Sequence, residues 1–155
     1  MTARPGFREL DRHECEQMLA RHNVGRIAYS FHDRVSIEPL HYVFSQDWIF
    51  GRTAAGTKLL TLFHHPWVAF EVDEVEGPFD WRSVVAHGTF SQLDGTGTPG
   101  ERATYARAID AIRTVAPTAF TPDDPVPHRT VIFGVAVHEL TGRAASSRAE
   151  SSSLP

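Results

Sequence analysis

The sequence holds a single cysteine, Cys15, so it can form neither an internal disulfide nor a zinc site built on several thiolates. No apolar run approaches the roughly 18 residues needed to span a bilayer, and the first residues lack the apolar core of an export signal. A cytoplasmic protein with no membrane role is expected. A basic excess is also missing: 15 Lys and Arg stand against 19 Asp and Glu, for a formal charge of −4. Nucleic-acid binding depends on clustered cations, and no basic stripe supplies them. Internal repeats are absent, as is any set of residues that reads as a nucleophilic triad. What remains is an ordinary globular composition over 155 residues, 41% hydrophobic and 22% charged, which is one domain's length. A chain this long buries roughly 68–70% of its unfolded surface.

Within that domain the most chemically suggestive stretch is Ile49-Phe50-Gly51-Arg52-Thr53-Ala54-Ala55-Gly56-Thr57-Lys58. A strand-like apolar run ends in a cation and a hydroxyl, a small-residue turn follows, and a second hydroxyl and cation open a helical pattern. Free N–H groups at a helix start carry partial positive charge and attract an anion. Arg52 adds a forked donor, Lys58 a point charge, and Thr53 and Thr57 neutral donors, which together make a phosphate cradle. Solvated side chains on an ordinary strand-turn-helix unit are the plain alternative for this segment on its own.

Residues 1–8 read as a loose arm. Asp11 and Glu14 have the spacing of a capping box that opens a helix to Arg21, with Cys15, Met18 and Leu19 on its apolar face. Cys15 there reads as a buried structural thiol. Strands are predicted at Val24–Phe31, Val35–Phe44 and Trp48–Arg52, with Pro39 marking an edge position or a bulge. A short helix over Lys58–Phe63 stops at His64-His65-Pro66. The paired histidines lack a third ligand at a usual spacing, so no metal site is expected. Strands follow at Trp67–Val75 and Trp81–Leu93, the second bent or closely approached at Gly88. A cover helix spans Glu101–Val115. Residues 117–129 carry four prolines and no period, as suits a loop that lines a site or packs on a partner. Val131–Leu140 is the last predicted strand, and the tail from Arg143 reads as disordered. The expected fold is mainly β within the α+β class: a six-stranded antiparallel split β-barrel of Greek-key type with a few peripheral helices, spanning residues 9–142.

Four segments, in this order and spacing, carry a resemblance to a known family. They are Val24-Gly25-Arg26-Ile27-Ala28, Glu38-Pro39-Leu40-His41-Tyr42, Arg52-Thr53-x-x-Gly56-Thr57-Lys58 and Trp81-x-Ser83-Val84-x-x-x-Gly88. Together they resemble the FMN-binding split-barrel superfamily, in the pyridoxamine 5′-phosphate oxidase-like branch that includes nitroimidazole-resistance flavoproteins. The resemblance implies a homodimer with FMN in clefts between the two barrels. It places the FMN phosphate at Arg52, Thr53, Thr57 and Lys58, and the ring along Pro39, Leu40 and His41. His41 falls where the oxidases place a lysine near the ring, and Ser83 where they place a glutamine. Trp81 and Val84 would wall the pocket. Arg52 departs from the nitroimidazole-resistance relatives, which often carry a histidine there. The substrate-phosphate residues of true pyridoxamine phosphate oxidases are not found, with His138 and Arg143 the only loose counterparts, so vitamin B6 oxidation is not expected.

The implied function is a small FMN-dependent oxidoreductase acting on a small molecule, with His41 tuning the flavin or donating a proton. Two alternatives remain at this point: a split barrel that holds deazaflavin or haem instead, and a non-catalytic flavin-binding module.

Overall fold

The structure, a computed structural model, describes residues 4–148, apart from the side chains of Thr57 and Leu60. In chain order the elements are β1 (Gly6–Glu9), α1 (Arg12–Arg21), β2 (Val24–Phe31), β3 (Arg34–His41), β4 (Val43–Ser45), β5 (Trp48–Thr53), α2 (Thr57–His64), β6 (Trp67–Gly77), β7 (Asp80–Leu93), α3 (Pro99–Val115) and β8 (Val131–Ser146).

Both long-range helices start on local chemistry. The Asp11 carboxylate accepts from Glu14 N–H while Glu14 reaches back to Asp11 N–H, the expected capping box. α3 opens with a second one, between Thr98 and Glu101, two residues before the expected start. α2 differs: Gly56 at its N-cap supplies no side chain, so no side chain caps its first turn.

All eight strands join one antiparallel sheet in the order β3-β2-β6-β7-β8-β5-β4, with β1 added alongside β8. The sheet does not close, and it has eight strands rather than six. One extra strand comes from the expected strand at 35–44, which divides at Tyr42. Its first part pairs with β2 and its second with β5, so Tyr42 is the covalent corner between the two edges of the sheet. Tyr42 is held there by its N–H to the Asn23 carbonyl at 2.9 Å and by its hydroxyl donating to the Leu19 carbonyl at 2.7 Å. Burial pushes its phenol well above the usual range.

The other extra strand corrects both expected chain ends. Gly6–Glu9 is not a loose arm, and the chain from Arg143 to Ser146 is not a disordered tail, because the two pair with each other in register. Residues 1–3 and 149–155 lie outside the described residues. Pro39 sits on the edge strand β3 without a register shift, opposite Arg26. Gly88 marks a shift between β7 and β8, where a Cβ would come within 2.1 Å of the Ala136 carbonyl oxygen.

The main core joins α1 to one face of the sheet, with Cys15, Met18, Leu19, Ile27, Phe70, Val84 and Phe133 buried together. A second core, built on Phe50, Ala108, Ala111, Ile112, Ala119 and Ile132, seats α3 against β5 and β8. Burial raises the Cys15 thiol above its usual range, as suits a structural cysteine. Among the described residues, no helix is long and apolar enough to cross a membrane.

Candidate functional site

The predicted cradle forms as a strand-turn-helix unit, with Arg52 and Thr53 ending β5, Ala54-Ala55-Gly56 exposed, and Thr57 opening α2. The end of β3 lies against it. A Cβ on Gly51 would stand 2.8 Å from the His41 carbonyl oxygen, so only glycine permits this approach of β5 to β3. Lys58 Nζ stands 2.6 Å from Glu38 Oε1, tying the start of α2 to the same edge strand. His41 and Arg52 therefore border one cavity, and Lys58 is held to β3 through Glu38. The Thr57 side chain lies outside the described residues, and the Thr53 hydroxyl points back to its own turn, 3.5 Å from the Ala54 carbonyl.

Arg52 does not stand free in this cradle. Its guanidinium forks onto Asp124, with Nη1–Oδ2 at 2.5 Å and Nη2–Oδ1 at 2.9 Å, and the two side chains are 9% and 3% exposed. Asp124 also accepts from the Phe120 and Val126 N–H groups, and Arg52 lies over the Phe120 ring. The Arg52 hydrogen bonds hold the Asp124 carboxyl far below the usual carboxylate range, helped by the two backbone donors. The arginine read from sequence as a phosphate ligand thus anchors the proline-rich loop.

The remaining expected residues lie elsewhere in the chain. Ser83 faces outward on β7, opposite Asp73, and its hydroxyl donates to Glu71 Oε2 at 3.2 Å. Burial and the adjacent Asp73 charge push the Glu71 carboxyl above its usual range. Val84 is buried in the core, because the pleat that turns Ser83 out turns Val84 in. Trp81 borders a groove beside Arg21, Asp80 and Ala145. β2 and β6 separate this β7 group from Pro39 on β3, and β8 separates it from Arg52 and Thr53 on β5. One chain alone therefore does not assemble the whole expected set.

A cavity of about 370 Å³ adjoins the cradle. Phe50, Gly51 and Arg52 of β5, Ile112 and Val115 of α3, and Pro125, Val126 and Arg129 of the loop line it, with Asn23 and His41. Asp124 and Arg129 were not singled out from the sequence. The four prolines of 117–129 were the available signal, and they indicated a loop that lines a site without saying which of its residues do so.

An open antiparallel sheet whose two edges meet at Tyr42, carrying a strand-turn-helix cradle beside that corner, is the architecture of a split-barrel protein. Residues 11–144 match the family described as pyridoxamine 5′-phosphate oxidase, and the chain belongs to that family. An uncharacterised protein of Rhizobium meliloti (strain 1021) is 27% identical over 147 residues, covering 89% of this chain and 95% of the relative. A solved FAD-binding protein from Mesorhizobium loti is similar at a TM-score of 0.71 and 25% identity, over 90% of this chain and 99% of that one. A putative 5-nitroimidazole antibiotic resistance protein from Bacteroides thetaiotaomicron shares the fold, with a TM-score of 0.67 and 14% identity over 90% of this chain and 89% of that one.

Proposed function

We propose that this protein binds a flavin, FMN, between two copies of the chain and uses it as a small oxidoreductase. The observation that carries this reading is the start of α2: a helix N-terminus without a side-chain cap, with Lys58 beside it, facing the edge strand Pro39–His41. Those residues fit a terminal phosphate. Among the described residues no side-chain cap bonds the first turn of α2, and Lys58, paired with a partly exposed Glu38 side chain, can exchange that carboxylate for a phosphate oxygen. One helix end and one lysine suit a single phosphate. Arg52 stays with Asp124 in this reading and keeps the loop closed over the cavity.

Family membership and the Mesorhizobium loti protein, which is described as FAD-binding, support a flavin. A bound flavin supplies hydride or electron transfer, so the chain need only bind, orient and exclude water. Pro39, Leu40 and His41 form the edge along which the ring is placed. His41, at the cavity, is positioned to deliver a proton to a substrate held there.

The second copy is supported by the outer sheet face. Val35, Ile37 and Trp67 are 78%, 67% and 67% exposed, and register puts Ile37 beside Ala28 and Ala69. An apolar face of this kind suits a homodimer, and the partner's β7 would bring its Ser83 and Trp81 toward the cradle.

Visible absorption of the purified protein during titration with FMN and with FAD tests the cofactor. A shifted flavin spectrum with FMN, reduced by NADH or NADPH and reoxidised by an acceptor, is the expected result. Tighter uptake of FAD would replace FMN in this reading. A protein that takes up neither would overturn it and turn the search to deazaflavin and haem.

A further inference from the structure

The 370 Å³ cavity has a lining chemistry that neither the cradle nor the dimer face explains. Phe50, Ile112, Val115 and Val126 make it largely apolar, yet two arginines and a histidine reach it and no carboxylate lines it. Arg52 is neutralised by Asp124. Arg129 is not: among the described residues no acid lies within ion-pair distance of its guanidinium, although the residue is only partly exposed. A guanidinium without an acid partner beside apolar walls offers an anion forked donors and an apolar surface together.

We propose that this cavity binds a small organic carboxylate with a flat apolar body. The carboxylate takes the forked donors of Arg129, and the body rests against Phe50, Ile112 and Val126. A bare inorganic anion would leave the apolar walls unfilled, and a neutral apolar molecule would leave Arg129 unmatched. Binding of the carboxylate stands on the cavity alone. Its role as the molecule reduced or oxidised rests on the flavin reading, with His41 as the proton-carrying neighbour.

Benzoate is the probe, titrated calorimetrically into the full chain with and without flavin, beside benzyl alcohol and inorganic phosphate. Saturable benzoate binding that the other two lack is expected. Arg129→Gln should weaken it roughly tenfold or more, and Arg129→Lys should recover part of the loss. Val126→Trp should abolish it by filling the cavity. Equal binding of benzyl alcohol, an unchanged affinity in Arg129→Gln, or displacement of benzoate by phosphate would each overturn the proposal. Competition between flavin and benzoate would also overturn it, by assigning the cavity to the flavin itself. Benzoate bound by a chain that takes up no flavin leaves this site standing and removes only the oxidoreductase reading; flavin bound without benzoate does the reverse.

Discussion

Tyr42 shows how much can depend on one side chain. It is the corner between the two sheet edges, it is 2% exposed, and its hydroxyl is the hydrogen-bond partner of the Leu19 carbonyl near the end of α1. Tyr42→Phe keeps the ring, including its edge contact with Phe70, and removes only that bond. A loss of about 1–3 kcal/mol is expected, because a buried carbonyl is left without its donor. Urea denaturation with an unchanged slope and a lowered midpoint would show it. Residues whose roles rest on near neighbours in sequence were legible. Asp11 with Glu14 read as a cap, and Cys15 with Met18 and Leu19 read as a buried face. Arg52 did not, because its partner Asp124 is 72 positions away and nothing near Arg52 announces it. Val84 shows a different limit: strand geometry reverses the face at every residue, so naming the right strand does not settle which of two adjacent side chains faces the core.

At the scale of elements, the loop at 117–129 is the one whose behaviour follows most directly from charge. Asp124 receives Arg52 and two backbone N–H groups, and this holds Phe120 at φ 65°, a left-handed conformation that a bulky residue seldom adopts. The Asp124 carboxyl is depressed below its ordinary value of 3.8. Its stabilisation is therefore complete above that value and is lost as pH falls through the lower folded-state value. Limited proteolysis should find the wild-type loop protected at neutral pH and opened in strong acid. Asp124→Asn should be cut within 117–129 roughly tenfold faster or more already at neutral pH, with little further change on acidification. The helices and most strands were legible because caps, prolines and periodicity are local. The break at Tyr42 was not, since the apolar alternation runs through it; what splits the strand is the change of partner from β2 to β5.

For the whole molecule, strand order was the part hidden from sequence, because pairing of β2 with β6, or of β5 with β8, joins segments that no local pattern links. The class of fold was nevertheless legible from short antiparallel strands separated by turns. The outer face of β3 and β6 gives the test of assembly. Ile37→Asp puts a charge in the centre of the proposed interface without touching the core, so sedimentation should show a shift from dimer to monomer at micromolar concentration. Flavin uptake should fall with it if the cofactor lies between subunits; a variant that stays dimeric would place the contact elsewhere. The last strand carries a consequence for synthesis. β8 is the partner of β1, β5 and β7 together. As the chain leaves the ribosome, strands made early must therefore wait, with unpaired edges, for β8. The sheet therefore gains its shared central partner, and the pairing of β1, β5 and β7 with it, only after every other strand has been made.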